Sequence, residues 1–330
     1  LKEHKYKLII LDEVSMISKT IMNDLLSFGI PVLATGDSAQ LPPVSDESCK
    51  LLENPDFTLT EIVRQAEDNP IIAVSKLARE HKKIEYGTYG ENGEVEVIDK
   101  RNLSEEELIS ILLSADQVVC GLNNTRERLN KLMRESLGYS GEQPQEGEKL
   151  ICNLNNYEIA LDNNLDDDNT YFLVNGLIGR CSDYKYIDKE QHLASLSFSP
   201  DFLGTKTEGI RVDSGIFETG NYTYPVHQNI YELKDNKFAV KQKLFKRAYI
   251  ETDDEWKARV MIQKRNERNA IDEFMLNMFD YGYAISCHKS QGSEFNYVVV
   301  FDESYAFKED SAKWLYTAIT RAKQKLIILK

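Results

Sequence analysis

Two carboxylates stand side by side at Asp12 and Glu13, directly after the apolar run Leu8-Ile9-Ile10-Leu11. Further along, Val32-Leu33-Ala34 runs into Thr35-Gly36-Asp37-Ser38-Ala39-Gln40-Leu41-Pro42-Pro43. An apolar run that closes abruptly in acids is the pattern of a buried parallel strand delivering carboxylates to the carboxyl edge of a sheet. Open α/β sheets bind their ligands at that edge. An acid pair there suits a nucleotide-bound Mg2+ and an attacking water. Asp12 would hold the cation directly or through water, and Glu13 would orient and deprotonate the water at a γ-phosphate. In the second string Gly36 permits close backbone approach, Gln40 can hydrogen-bond the γ-phosphate, and Pro42-Pro43 stiffens the loop. Acid pairs also end strands without doing chemistry, and Val298-Val299-Val300-Phe301-Asp302-Glu303 reads alike. The first pair differs in having the second string on an adjacent expected strand.

Two arginines could reach the same phosphate. Arg64 lies in Leu59-Thr60-Glu61-Ile62-Val63-Arg64-Gln65, and Arg321 in Tyr316-Thr317-Ala318-Ile319-Thr320-Arg321-Ala322-Lys323. Guanidinium groups converging from two lobes would stabilise transition-state charge and tie cleft closure to nucleotide state. The string Cys287-His288-Lys289-Ser290-Gln291-Gly292-Ser293-Glu294 follows a strand without apolar periodicity, and its donors suit a nucleic-acid backbone or a ribose. A plain surface turn is the alternative. Cys287 and His288 would face opposite ways on a continued strand, which disfavours a nucleophile pair. Gly121-Leu122-Asn123-Asn124-Thr125 forms a polar turn between a strand and a helix, a ready phosphate site.

These residues need two α/β units to position them. The first is expected over residues 5–83, with a helix at Lys19–Ser27 between the two strands and another near Ile71–Glu80. The second pairs strands at Val95–Ile98 and Gln117–Cys120 with helices led by a Ser104/Glu107 capping box and spanning Arg126–Leu137. It resumes with strands at Tyr283–Ser286, Tyr297–Phe301 and Leu326–Leu329 and a helix at Ala312–Arg321. Between the two parts of this unit the texture turns rich in Asn, Asp and Tyr. Val174-Asn175-Gly176-Leu177 is a hairpin signal there, Asp201–Tyr222 a long polar excursion, and Trp256–Met278 an expected helix.

Bulk properties limit the reading. The 330 residues are 42% hydrophobic and 28% charged, the balance of a globular protein of two or three domains. A net charge of −14 argues against broad non-specific DNA coating. The stretch 241–268 is locally basic, with nine Lys/Arg against five Asp/Glu. Five scattered cysteines lack zinc or redox spacing and suggest free thiols in a reducing cytoplasm. No run approaches a membrane span and none resembles a signal peptide. The start at Leu1 suggests a fragment of a longer protein.

Taken in order, these strings resemble the motor motifs of superfamily 1 helicases, in their RecD/Dda-like branch. Asp12-Glu13-Val14-Ser15-Met16 resembles motif II, Gly36–Pro43 motif III, Leu59–Gln65 motif IV, His288–Phe295 motif V and Tyr316–Ala322 motif VI. The resemblance implies an α/β protein with two RecA-like P-loop NTPase domains, the first truncated, and an inserted small β-barrel of Src-homology-3 type, which Val174-Asn175-Gly176 suggests. The expected division is 1–82 for the first motor domain, 83–146 with 281–330 for the second, and 147–280 for the insertion. The family implies ATP and Mg2+ as cofactors, single-stranded DNA as partner, and 5′-to-3′ translocation by a monomer, alone or within a larger complex. By this resemblance Asp12 binds Mg2+, Glu13 is the base, and Gln40, Arg64 and Arg321 sense the γ-phosphate. Asp37 and Glu294 also border the nucleotide, while Asn123, Thr125, Ser286, His288 and Lys289 face DNA. One departure is large: Gly-x-x-x-x-Gly-Lys-[Ser/Thr], which cradles the phosphates, occurs nowhere in the chain. Residues 1–330 alone are therefore expected to hydrolyse ATP negligibly. The rival reading is a non-hydrolysing nucleic-acid-binding module with vestigial motor motifs. A two-metal nuclease would need further clustered carboxylates.

Overall fold

The computed structural model describes residues 6–43, 49–59, 69–141, 143–153, 155–160, 172–188, 193–201, 223–227 and 279–330. Arg64, the basic stretch 241–268, the expected helix 256–278 and nearly all of the excursion after Asp201 lie outside them. In chain order the elements begin with β1 (Ile9–Leu11), α1 (Lys19–Leu26), β2 (Val32–Ala34), α2 (Pro70–Arg79), β3 (Gly87–Tyr89), β4 (Val95–Ile98), α3 (Glu105–Ser114), β5 (Gln117–Cys120) and α4 (Asn123–Ser136). Strands follow: β6 (Lys149–Cys152), β7 (Asn156–Ala160), β8 (Phe172–Leu173), β9 (Ile178–Asp188), β10 (Leu193–Pro200), β11 (Thr223–His227) and β12 (Phe279–Tyr281). The chain closes with β13 (Ala284–Ser286), α5 (Cys287–Ser290), β14 (Phe295–Phe301), α6 (Ser311–Ile319) and β15 (Ala322–Leu329).

The strands carrying the two acidic strings lie side by side. β1 and β2 are parallel, with Leu11 opposite Ala34. The Thr35 amide donates to the Leu11 carbonyl at 2.8 Å, and the Val14 amide donates to the Thr35 carbonyl at 2.9 Å, so pairing continues past both strand ends. Ser18 caps α1 by accepting from the Ile21 amide. The expected burial of these strands on both faces is not met. Ile10 is 66% and Leu33 52% exposed, because the described elements cover one face of the pair.

The second sheet runs β13-β5-β14-β15-β4-β3, parallel except where β3 joins antiparallel to β4. Val298, Val299 and Val300 are fully buried, as are Val118 and Val119 on the neighbouring strand. Near-continuous apolar runs are what a sheet covered on both faces requires. The Ser104/Glu107 capping box forms at the start of α3, with the hydroxyl accepting from the Glu107 amide and the carboxylate from the Ser104 amide. α2, expected with the first lobe, packs instead on α6 and β15. Its face of Ile71, Val74 and Ala78 joins the core that holds Trp314, Ile319 and Leu326. That spacing makes one apolar stripe, and the second sheet offers the larger surface to bury it.

Packing groups the chain into two compact units, residues 1–133 with 284–330, and residues 134–283. The expected first motor lobe and residues 83–133 and 284–330 of the second fall in the first unit, while residues 134–146 and 281–283 of the expected second lobe fall in the second unit. The second unit contains the sheet β11-β10-β9-β6-β12, antiparallel throughout. At its start Arg134 and Glu148 form a buried ion pair, with the guanidinium 3.9 Å over the Tyr281 ring. The Val174–Leu177 turn forms, with the Leu177 amide donating to the Val174 carbonyl and Gly176 at φ +92°. It is not a hairpin. β8 pairs with β7 and β9 with β6 and β10, so the turn passes the chain between two sheets. All five cysteines are free and buried. Among the described residues no helix is long and apolar enough to cross a membrane.

Candidate functional site

The end of β1 delivers Asp12 and Glu13 beside the loop that leaves β2. Asp12 is exposed, and its Oδ1 accepts from the Thr35 hydroxyl at 2.7 Å and from the Glu13 amide at 2.9 Å. Those two donors, Thr35 foremost, hold its carboxyl below the usual carboxylate range. Glu13 adopts left-handed backbone geometry, φ 51° and ψ 45°, as it leads into a short 3-10 turn at Val14–Met16. That conformation is uncommon for a residue other than Gly, Asn or Asp. Gly36 lies so close to this turn that a Cβ there would sit 2.9 Å from Val14 Cγ1 and 3.1 Å from the Val14 nitrogen. The missing side chain thus brings the two strings together.

The loop beyond Gly36 is held from within. Asp37 accepts from the Ala39 amide at 2.9 Å through Oδ1, and the Gln40 amide donates to the Asp37 carbonyl at 3.2 Å. Asp37 Oδ2 accepts from the Tyr316 hydroxyl at 2.6 Å. Asp37 was expected at the nucleotide, but both its oxygens are engaged by the protein. The Gln40 side-chain carbonyl is buried and makes no hydrogen bond. An unpartnered buried acceptor is costly, and this one follows directly on the acid pair's neighbouring strand.

Among the described residues no group of three or more His, Cys, Asp or Glu could hold a metal ion. One exposed, readily ionised carboxylate at a strand end fits Mg2+ carried in on nucleotide phosphates, a cation bound through one or two carboxylates rather than by an all-protein cage.

Arg321 does not take its expected place. It is 5% exposed. Its Nε donates to the Thr317 carbonyl at 3.0 Å, Nη1 to the carbonyls of Ser293 at 3.1 Å and Ser290 at 3.4 Å, and Nη2 to the Thr320 hydroxyl at 3.1 Å. The end of α6 and the loop after α5 surround the guanidinium with acceptors, so it is satisfied inside its own lobe. Glu294 pairs with Lys323 at 2.9 Å, on the exposed surface.

The expected nucleic-acid contacts gather at the carboxyl edge of the second sheet, with one correction. The phosphate-like turn after β5 already contains an anion. The Gly121 and Leu122 amides donate to Glu303 Oε2 at 2.9 and 2.8 Å, and the Thr125 hydroxyl donates to Oε1 at 2.5 Å. Glu303 is 3% and Thr125 8% exposed. Thr125 therefore serves an internal carboxylate, while Asn123 stays exposed. Ser286 ends β13 half-buried, and His288 and Lys289 follow on α5. The His288 ring lies 6.0 Å from Phe307, which stacks on Trp314 at 5.5 Å. Burial pulls the His288 pKa down, with Asp310 opposing the shift.

Sequence reasoning missed Glu303, Tyr316 and Thr317 as working residues. Glu303 carried the right signal, an acid ending an apolar strand. Its partners come from the turn after β5 and from α4, far away in sequence. Thr35 directly follows the Val32–Ala34 run, and only the pairing of the two strands brings its hydroxyl to Asp12.

The chain matches known proteins at both ends. Residues 1–100 match the AAA domain family, and residues 281–329 the UvrD-like helicase C-terminal domain. Over 74 residues it is 46% identical to the ATP-dependent RecD2 DNA helicase of Deinococcus radiodurans, a match taking in 20% of this chain and 10% of that relative. Among solved structures it is similar to the Pif1 helicase of Candida albicans, with 17% identity, TM-score 0.46, and coverage of 98% of this chain and 72% of that one. A Bacteroides Pif1 helicase, solved with ADP-AlF3 and single-stranded DNA, gives 15% identity, TM-score 0.47, and coverage of 98% and 70%. The acid pair and its paired glutamine loop lie within the first family match, and the strings around His288 and Arg321 within the second. By these matches the chain is similar, at both ends, to superfamily 1 helicases of the RecD-like branch.

Proposed function

We propose that this chain forms part of an ATP-driven DNA helicase or translocase that moves 5′-to-3′ on single-stranded DNA. One observation supports this above others: Asp12 and Glu13 end a strand whose parallel neighbour leads into Gly36–Gln40, with Thr35 hydrogen-bonded to Asp12. In this reading Asp12 holds the Mg2+ that comes with ATP, and that cation neutralises phosphate charge. Glu13 takes the proton from the attacking water. Gln40 offers its unpartnered carbonyl to the water or to a phosphate-bound group. Arg64 remains the guanidinium proposed for the γ-phosphate. Asn123, Ser286, His288 and Lys289 line the DNA track on the second sheet. The antiparallel sheet of the second unit corresponds to the small inserted barrel of the family.

Hydrolysis on this reading needs a phosphate-cradling loop in addition to residues 1–330. The test is ATP turnover, with and without single-stranded DNA, in a form of the protein that carries such a loop. Glu13→Gln should abolish turnover and leave ATP binding largely intact, because it removes the base and keeps the shape. Near wild-type turnover in that variant would remove Glu13 from the mechanism. Residues 1–330 alone should hydrolyse ATP negligibly. A non-hydrolysing binding module would instead bind single strands in every form and turn over ATP in none.

A further inference from the structure

Leu41 is the residue by which the acid-bearing lobe grips the second sheet. It is 1% exposed, and its side chain sits in the core with Ile71, Val74, Trp314 and Ala318. Its amide donates to the Thr317 hydroxyl at 3.0 Å, and its carbonyl accepts from Gln291 Nε2 at 3.0 Å. Both polar atoms of one peptide-chain residue, and its side chain, are thus held by the other lobe. Four residues earlier, Asp37 takes the Tyr316 hydroxyl at 2.6 Å. Arg79 of α2 stands 6.0 Å over the Tyr316 ring. Burial and the Asp37 carboxylate push the Tyr316 hydroxyl above its ordinary range. The loop Asp37–Leu41 is pinned at both ends, and Gln40 lies between the pins.

The attachment points are on elements with different tasks. Tyr316 and Thr317 belong to α6, whose end places Arg321. Gln291 closes α5, the turn carrying His288 and Lys289. A displacement of Gln40 has one peptide bond to travel before it reaches Leu41, and from there it pulls on both helices.

We infer that Asp37 is a latch rather than a nucleotide ligand, and that Tyr316, Thr317 and Gln291 are positioning residues that make the Gln40 loop and the His288 turn move as one body. The inference rests on the ATP-driven reading above for its consequence in turnover. The latch itself is independent of that reading.

The test uses Tyr316→Phe/Thr317→Val, which keeps ring and shape and removes one donor and one acceptor, with Asp37→Asn as a second variant should the first fail to fold. Hydrogen exchange of residues 36–43 reads the latch directly. The Leu41 amide should be protected in the wild type and exchange about tenfold faster in the variant, the scale of one net hydrogen bond. In the ATP-hydrolysing form, kcat in the presence of single-stranded DNA should fall about fivefold or more, the lower end of ordinary coupling between sites. KM for ATP and the Kd for a single-stranded oligonucleotide should stay within about twofold, since neither ligand's contacts are removed. An unprotected Leu41 amide in the wild type, or DNA-stimulated kcat unchanged in a variant whose Leu41 amide has lost protection, overturns the inference. Absence of ATP turnover in the wild type sinks the functional reading instead, and hydrogen exchange then decides the latch alone.

Discussion

Arg321 donates from Nη1 to the carbonyl of Ser293 at 3.1 Å, tying the end of α6 to the loop that follows α5. With its bonds to Ser290, Thr317 and Thr320, the guanidinium acts as a bracket. Arg321→Ala should cost about 2–4 kcal/mol, because buried carbonyls lose their donor. Arg321→Lys should restore only a minor part, since one ammonium cannot reproduce the planar fork. Urea unfolding of residues 1–330 measures both. An Arg321→Ala midpoint equal to that of the wild type would contradict the bracket and reopen a role at the phosphate.

Gly36 is where the two strings touch. Gly36→Ala places a methyl 2.9 Å from Val14 Cγ1 and 3.1 Å from the Val14 nitrogen. The second neighbour is backbone and cannot rotate away. The expected cost is about 1–3 kcal/mol from overpacking, with a loss of turnover larger than the loss of folded protein because Glu13 adjoins the displaced atom. Turnover per folded molecule equal to the wild type would show that the Val14–Met16 turn tolerates the shift.

Glu303 fills the anion site at the start of α4. Glu303→Ala leaves two amides and the Thr125 hydroxyl without their acceptor and should destabilise by about 2–4 kcal/mol. Glu303→Gln keeps an acceptor oxygen and should cost clearly less. A double-mutant cycle with Thr125→Val should give a coupling of about 1–3 kcal/mol. Additive effects would mean that the short Thr125 contact contributes little.

His288 should make stability depend on pH in a defined direction. Burial lowers its pKa in the folded chain below the ordinary 6.5, so the unfolded chain binds the proton first as pH falls. The stabilisation from the neutral ring is complete above about pH 6.5 and declines as pH drops through that value toward the folded pKa. His288→Gln should flatten urea midpoints over that interval. An unchanged slope would assign the titration to another group.

Much of this was readable in the chain because the informative signals were local. The strands at Val95–Ile98 and Gln117–Cys120 lie where their apolar runs place them, and the Ser104/Glu107 cap needs only a four-residue window. The pairing of the two acidic strings was legible because each is an apolar run with the same abrupt ending. What failed was non-local. α2 has a clear apolar stripe, and its stripe does not say which sheet it covers. Arg321 has the right neighbours in sequence for a phosphate, but Ser290 and Ser293 carbonyls meet it only after β14 and β15 pair. Glu303 and the Gly121 turn each carry a local signal, yet periodicity within a segment cannot tell that they bind one another.

Burying Leu41 in a neighbour's interior also bears on how the molecule comes apart. Withdrawing it would leave a void lined by Trp314, Val74 and Ala318, with an orphaned hydroxyl and carboxamide beside it. Detachment of the small lobe and melting of the larger one are thereby made a single event. Heat or urea should open the β1 and β14 amides to exchange in one shared transition, and Leu41→Ala should split it in two.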